Sequence, residues 1–255
     1  MKSNHFKLSR VLVGMKYQNG HEQRLKSMKL LQPLLDNAYP RYSRYAGIAS
    51  VEVSGISTIP KGPSLLVPKH RTEKDHIPIY RALTDAGICA GYIAKHSVSV
   101  PGLLVPFGLI RLSRTIDIHK LRKYLPRHFI SWIVDYRFAK NSMELDYIAF
   151  LLSRGEYVIS FPEGTTQFDS VGKLKGNRVF QAAAAAQKAI DQKISVVPIG
   201  LEYDKNPDHE KGASAKVNFG SELCLCDFIK DGALMEDDLN AEISLKLAAL
   251  SGLKL

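Results

Sequence analysis

Short apolar runs alternate with longer amphipathic stretches along most of the chain. The apolar runs predict strands at 50–53, 64–67, 89–94, 157–161, 195–203 and about 215–219. Helical patterns occupy 75–86, most of 118–154, 182 to about 190, and 236–250. Because strands and helices alternate, the sequence predicts an α/β fold in which a layered sheet is flanked by helices.

The first 45 residues carry a different pattern. Apolar side chains repeat there at helical spacing, at Leu25, Met28, Leu31 and Leu35. Residues 1–50 hold nine Lys and Arg against two acidic residues, a net charge of +7. We therefore divide the chain into a basic amphipathic helical segment, 1–45, and a main domain, 46–255. Basic residues beside Leu and Tyr suit an anionic membrane surface. Packing of the Leu face on the main domain is the alternative.

The net charge of +10 predicts a partner that is negatively charged. A membrane, a phosphorylated substrate, an acidic carrier protein and nucleic acid all qualify. The chain has no RNP, KH or helix-turn-helix signature, so we expect no nucleic acid. No run reaches the ~18–20 apolar residues that span a bilayer, and the first residues lack the apolar core of a signal peptide. We expect a cytoplasmic protein, soluble or peripheral at the membrane, with no transmembrane span.

The cysteines are few, namely Cys89, Cys224 and Cys226. The stretch Cys224-Leu225-Cys226 is typical of one face of a strand, because it lacks the second Cys pair or His cluster of a zinc site. We therefore predict no metal site, and no cofactor. So few cysteines fit a reducing, cytoplasmic compartment.

Candidate chemistry follows the strand at 64–67, where His70 and Asp75 lie five positions apart. On an ideal helix this spacing leaves the two side chains about 140° apart. Contact between them therefore needs a bend, with His70 at the strand end and Asp75 in the first turn of the next helix. Such a pair is the minimum for general-base catalysis, because the carboxylate fixes the imidazole tautomer and stabilises the imidazolium.

A second polar turn follows the strand at 157–161. It contains Glu163, Gly164, Thr165 and Thr166. Glycine lets the backbone approach a ligand, and the threonines supply hydroxyl groups. A third apolar strand, at 195–203, contains Pro198 and Gly200. Open α/β sheets bind their ligands at strand ends that carry such turns.

The order of these motifs resembles the signature blocks of the glycerolipid acyltransferase family, over about residues 45 to 205. The blocks are His70 to Asp75, then Lys95 through Gly108 to Arg114, then Phe161-Pro162-Glu163-Gly164-Thr165, then Val197-Pro198-Ile199. Two positions depart from the family pattern. Lys69 stands where an asparagine is usual, and Thr166 where many members have an arginine.

The resemblance implies a mixed sheet flanked by helices and an enzyme that moves a fatty acyl group from acyl-CoA or acyl-carrier protein to a glycerolipid hydroxyl. The acceptor that this resemblance implies is lysophosphatidate, which would give phosphatidate. His70 and Asp75 would be catalytic. The substrates would be bound by Arg114, which would hold the acceptor phosphate, and by Lys95, Glu163, Gly164, Thr165 and Thr166.

The expected reaction needs no covalent enzyme intermediate, since the chain has no Gly-x-Ser-x-Gly elbow. Backbone N–H groups at the helix start after His70 are expected to stabilise the oxyanion. Transfer to glycerol-3-phosphate or another lysophospholipid is a close alternative. A non-catalytic lipid-binding protein and a basic nucleic-acid-binding protein are alternatives of other classes.

Overall fold

The computed structural model describes residues 20–30, 33, 46–95, 109–112, 141–175 and 177–255, with the strand residues 94–95 and 109–112 described by their backbone alone. The helices among these residues are α1 at 20–30, α2 at His76–Asp85, α3 at 141–153, α4 at Asn177–Ala189 and α5 at Glu236–Leu250. The predictions of α2 and α5 are confirmed. Helix α4 begins five residues before its predicted start, and the predicted helix at 118–154 is confirmed for 141–153.

Eight strands form one sheet. They are β1 (Ile48–Ser54), β2 (Ser64–Pro68), β3 (Ala90–Lys95), β4 (Leu109–Leu112), β5 (Tyr157–Ile159), β6 (Ser195–Tyr203), β7 (Ala213–Phe219) and β8 (Leu223–Cys224). Their order is β1-β7-β6-β2-β5-β3-β4, and β8 pairs with β6. A separate antiparallel pair joins β9 (Ile229–Lys230) to β10 (Ala233–Leu234).

The sheet is mixed, as the resemblance implied. Strands β6, β2, β5, β3 and β4 run parallel to one another. Strand β7 is antiparallel to β6, and β1 is parallel to β7. All five residues of β2 are buried, which fits a central parallel strand covered on both faces. The polar turns after β2 and β5 therefore leave the sheet at the same edge.

Alternate residues of the central strands face two separate cores. Leu65 of β2 belongs to a cluster that includes Tyr147 of α3 and Ile243 of α5. The next residue, Leu66, belongs to a second cluster that includes Ile79 of α2. This alternation follows from the two-residue period of a strand. Helices thus cover both faces of the sheet and leave its carboxyl edge for the polar turns.

Helix α1 packs on the main domain. Leu25 is 6% exposed and Met28 is fully buried, and both lie in the cluster that contains α3. Arg24 forms a 2.9 Å ion pair with Glu144 and stacks over the Tyr147 ring at 4.1 Å. The packing alternative therefore holds for 20–30. Leu31, Leu35 and the tyrosines fall outside the described residues, so membrane binding by the basic segment stays a prediction.

Two features of the fold differ from the sequence prediction. Strand β4 lies in a proline-broken apolar run for which no strand was expected. The stretch from Cys224 to Cys226 is not one strand face, because Cys224 ends β8 and the 3-10 turn Leu225–Phe228 follows. Leu225 points into the core, and Cys224 and Cys226 are joined in a disulfide. A disulfide is not what a reducing compartment predicts, so the cysteines no longer support a cytoplasmic location.

Across the described residues, every helix is too short or too polar to cross a membrane.

Removal of the Met28 side chain tests the docking of α1. We expect Met28→Ala to lower the free energy of unfolding by about 2–5 kcal/mol, because the substitution leaves a cavity in the core. Leu30 is the matched control, since it lies on the same helix and is 78% exposed. Leu30→Ala should change stability by less than about 0.5 kcal/mol. Urea denaturation followed by circular dichroism measures both, and equal effects would contradict the packing of α1.

Candidate functional site

The turns that follow β2 and β5 meet at the carboxyl edge of the sheet. Leu66 pairs with Ile159 across the two strands, and the Ser160 N–H donates to the Leu66 carbonyl at 2.9 Å. Beyond the strands, the Gln167 N–H donates to the His70 carbonyl at 2.8 Å. These bonds place the segment 160–167 beside His70. The two polar turns therefore lie side by side at one edge of the sheet.

His70 and Asp75 are in direct contact. The imidazole Nδ1 lies 3.0 Å from Asp75 Oδ2. Asp75 is the N-cap of α2, so the chain bends between the two residues as their spacing required. A carboxylate at Nδ1 selects the tautomer with the proton on Nδ1, which leaves Nε2 as the proton acceptor. Within the described residues, Nε2 has no hydrogen-bond partner, and the His70 side chain is 21% exposed.

The Asp75 carboxylate is fully buried and accepts several hydrogen bonds besides that from His70. Its Oδ2 accepts from the backbone N–H groups of Arg71 at 2.5 Å and Thr72 at 2.9 Å. Its Oδ1 accepts from the Thr72 hydroxyl at 2.9 Å and the Tyr203 hydroxyl at 2.8 Å. A buried charge is tolerated when its lone pairs are satisfied in this way. The network holds Asp75 as a fixed anion behind the imidazole.

Tyr203 is a member of this network that the sequence did not single out. It is the last residue of β6, so it ties that strand to the N-cap of α2. Burial, followed by the negative charge of Asp75, raises the pKa of the Tyr203 hydroxyl well above its ordinary value. The phenol therefore stays protonated and donates to the carboxylate at neutral pH.

Glu163 lies beneath His70 and is fully buried. Its Oε1 accepts from the His70 N–H at 2.9 Å, and its Oε2 accepts from the Gly172 N–H at 2.7 Å and from Lys69 Nζ at 3.0 Å. Both carboxylate oxygens are thus engaged within the protein. The geometry supports a role for Glu163 in positioning His70, whereas contact between Glu163 and a substrate stays a prediction that its burial does not favour.

The rest of the turn points outward. Gly164 adopts the left-handed conformation, with φ of 64°, which a residue with a Cβ rarely adopts. Thr165 and Thr166 are exposed. Within the described part of the chain, neither threonine uses its hydroxyl or its backbone N–H in a hydrogen bond. They are the residues of the turn with donors open to a substrate.

The backbone N–H groups of the bend between β2 and α2 are engaged within the protein. Every N–H group from His70 to Asp75 already donates within the protein. The Arg71 and Thr72 groups go to Asp75, and the Glu73 group goes to Asp208 at 3.0 Å. The amides of the bend itself are therefore not the donors for an oxyanion, because two of them satisfy the buried Asp75 carboxylate and the others bind neighbouring acceptors. Among the residues that the structure describes, the adjacent turn carries open donors at Thr165 and Thr166.

Aromatic side chains form one wall beside the imidazole. The Phe161 ring centroid lies 4.5 Å from that of His70, and Tyr92 of β3 follows at 5.8 Å from Phe161. Both aromatic residues are partly exposed. This wall gives the open face of His70 an apolar neighbour, which suits the carbon chain of a lipid-like substrate.

The predicted cationic contacts lie at the limit of the described residues. Lys95 is the last residue of β3, and its backbone therefore ends at the same sheet edge as His70, while its side chain falls outside the described residues. Arg114 falls outside them altogether.

Arg71, which the sequence analysis did not select, stacks over the Phe168 ring at 4.4 Å, and burial lowers the pKa of its guanidinium group. Its position next to His70 was the only signal that could have found it.

The chain is similar to proteins of a known family and to a solved structure. A family model described as Acyltransferase matches residues 50–202, which include both polar turns. The fold is similar to that of the crystal structure of the 1-acyl-sn-glycerophosphate (LPA) acyltransferase PlsC from Thermotoga maritima. The TM-score is 0.59 at 16% sequence identity, with 93% of this chain and 86% of that chain covered. No curated protein sequence matches the chain.

Replacement of Tyr203 tests the anion network by its pH dependence. Tyr203→Phe should lower the free energy of unfolding by about 1.5–3 kcal/mol at neutral pH, because it removes a hydrogen bond to a charged group. The folded-state pKa of Tyr203 lies above the unfolded value of about 10. The contribution of the hydroxyl is therefore complete below about pH 10 and falls as the pH rises above it.

The stability difference between wild type and Tyr203→Phe should accordingly shrink above about pH 10. The other tyrosines are common to both proteins and cancel in this difference. Urea titrations at several pH values measure it. A difference that stays constant, or grows, above pH 10 would contradict the hydrogen bond from Tyr203 to Asp75.

Proposed function

Because the chain belongs to the acyltransferase family, we propose that it transfers a fatty acyl group from a thioester donor to a hydroxyl of a glycerolipid. The observation that carries this proposal is the 3.0 Å contact between His70 and Asp75, with the imidazole Nε2 left open among the residues that the structure describes. We propose lysophosphatidate as the acceptor and acyl-CoA or acyl-carrier protein as the donor. The name of the Thermotoga structure supports that acceptor, and the basic charge of the chain suits a phosphorylated lipid.

His70 acts as the general base in this proposal. Its Nε2 removes the proton from the acceptor hydroxyl while the hydroxyl oxygen attacks the thioester carbonyl carbon. The new C–O bond forms, the C–S bond breaks, and His70 returns the proton to the departing thiolate. Asp75 keeps the proton on Nδ1 and stabilises the imidazolium that exists between the two transfers.

Thr165 and Thr166 supply the donors for the substrate oxygens. The carbonyl oxygen gains charge as the hydroxyl attacks, and fixed N–H or O–H groups near it lower the barrier. These two threonines keep their donors open beside the segment that bonds to the His70 carbonyl. Thr166 donates a hydrogen bond without a charge, where many family members have an arginine.

We place the acceptor phosphate with Arg114, and Lys95 near it. Arginine binds phosphate through two parallel hydrogen bonds, and Arg114 is the sixth residue after Gly108, where the family resemblance places a phosphate-binding arginine. The Phe161 and Tyr92 wall would lie along the acyl chain. Since such acceptors reside in membranes, the protein would act as a peripheral enzyme at an anionic membrane surface.

Loss of the base tests the reaction directly. His70→Ala should lower kcat for acyl transfer about 10²–10⁴-fold without unfolding the protein. Asp75→Asn should also be severe, because the wrong imidazole tautomer is favoured. His209→Ala is the control, since His209 is exposed in the turn between β6 and β7 and makes no contact with the pair. Thiol release with a trapping reagent measures turnover, and circular dichroism checks the fold. Near-normal turnover by folded His70→Ala would refute the mechanism.

The acceptor assignment is tested through Arg114. Arg114→Ala should raise KM for lysophosphatidate and leave KM for the thioester donor nearly unchanged, because a contact to a non-reacting phosphate contributes uniform binding. The same variant should match wild type on monoacylglycerol, which lacks the phosphate. A panel with glycerol-3-phosphate and other lysophospholipids then identifies the preferred acceptor. Equal losses with both substrates would assign Arg114 to the fold instead.

A further inference from the structure

Lys69 is a fully buried lysine directly before the proposed base. Lysine is almost never fully buried unless it is paired. The ammonium group of Lys69 donates to Glu163 Oε2 at 3.0 Å, to the Gln167 carbonyl at 2.8 Å and to the His70 carbonyl at 3.1 Å. These three acceptors use its full capacity of three donors. No donor of Lys69 is therefore left for a substrate.

Lys69 and Glu163 form hydrogen bonds with the two polar groups of the His70 main chain. Glu163 Oε1 accepts from the His70 N–H at 2.9 Å, while Lys69 Nζ donates to the His70 carbonyl at 3.1 Å. The His70 side chain is held separately, by Asp75. His70 is thus held by three buried charged side chains: Asp75 acts on its ring, and Lys69 and Glu163 act on its backbone.

The backbone next to this ion pair leaves space for it. A Cβ at Gly172 would lie 2.9 Å from Glu163 Oε2, so that only glycine lets the backbone N–H approach the carboxylate to 2.7 Å. Burial lowers the pKa of Lys69, and the charge of Glu163 opposes that shift. Each group therefore compensates the other, and removal of either one leaves an uncompensated charge in the interior.

Stability alone is a weak reason to keep such a pair, because well-packed apolar residues are often as stable as a buried ion pair. A role in positioning His70 is a better reason to keep the pair. Catalytic geometry is sensitive, and a displacement of about 1 Å costs on the order of 10²-fold in rate. We propose that Lys69 is a positioning residue that acts with Glu163 as one unit to set the place of His70. This inference rests on the proposed function, since it concerns the base of that reaction.

If Lys69 and Glu163 act as one unit, variants of either residue should lose kcat and keep KM. Lys69→Met should lower kcat about 10²-fold while KM for each substrate changes less than about threefold, because no contact to substrate is lost. Glu163→Gln should show the same split. The double variant Lys69→Met/Glu163→Gln removes both charges at once, so its loss should be much smaller than the product of the two single losses.

The controls separate positioning from folding and from the reaction itself. Lys246→Met removes a partly buried lysine of α5 that pairs with Glu242 far from His70 in the sequence, and it should leave kcat unchanged. Rates are divided by the folded fraction, measured by thermal denaturation. If Lys69→Met does not fold, the double variant serves in its place, because it carries no uncompensated buried charge.

Provided that wild type is active and His70→Ala is not, three results in kcat would overturn the inference, and a fourth concerns KM. They are a folded Lys69→Met with near-normal kcat, a double variant with near-normal kcat, and single losses that multiply in the double variant. A loss that appears only in the KM of one substrate would also overturn it, because Lys69 would then act on binding. If wild type and His70→Ala have equal activity, the proposed function fails and not the role of Lys69 alone.

Discussion

The site depends on the burial of one carboxylate. Asp75 has no exposed surface, yet it carries the charge that orients His70. An isolated charge in such a place costs several kcal/mol, so the surrounding chain must supply donors. It does so with the amides of the bend, the Thr72 hydroxyl and the phenol of Tyr203. The shape of the bend, the start of α2 and the end of β6 are therefore all fixed by the same anion.

The need to supply donors to Asp75 also prevents the bend from donating to a substrate. Its amides are spent on Asp75 and neighbouring acceptors, so they are not free for a reacting oxygen. Open donors lie across the site, on the turn after β5. The base and the donors for the substrate are thus supplied by different strands, β2 and β5, which are hydrogen-bonded neighbours in the sheet. Parallel pairing of these strands brings the two halves of the site together.

The two polar turns differ in how they are held. The bend after β2 is organised around Asp75, whereas the turn after β5 is organised around the buried pair of Lys69 and Glu163. Both networks end on His70. The departure from the family pattern at Lys69 is therefore not a neutral change on the surface, since this side chain lies at the junction of the two turns. The exposed residues of the site, Thr165 and Thr166, are supported by these networks and do not belong to them.

The sequence by itself determined much of this protein. The two-residue and 3.6-residue periods identified β1, β2, β3, β6, β7, α2 and α5, because those periods reflect which side chains each element buries. The same reading found both polar turns and the contact of His70 with Asp75, since each follows directly from a strand that ends in a polar run. Strand β4 and the short strands β9 and β10 were not predicted, because runs of four and two residues carry too little pattern.

Only the tertiary structure decided the partners that come from distant parts of the chain. Tyr203 reaches Asp75 across 128 residues, and Lys69 reaches Glu163 across 94. In the sequence Tyr203 is the last residue of a buried strand and Lys69 is one more charge in a basic chain. Their roles depend on burial, which turns an ordinary hydroxyl or ammonium group into one that must find a partner. Local patterns specify what each segment becomes, but strand order and burial determine which polar groups meet.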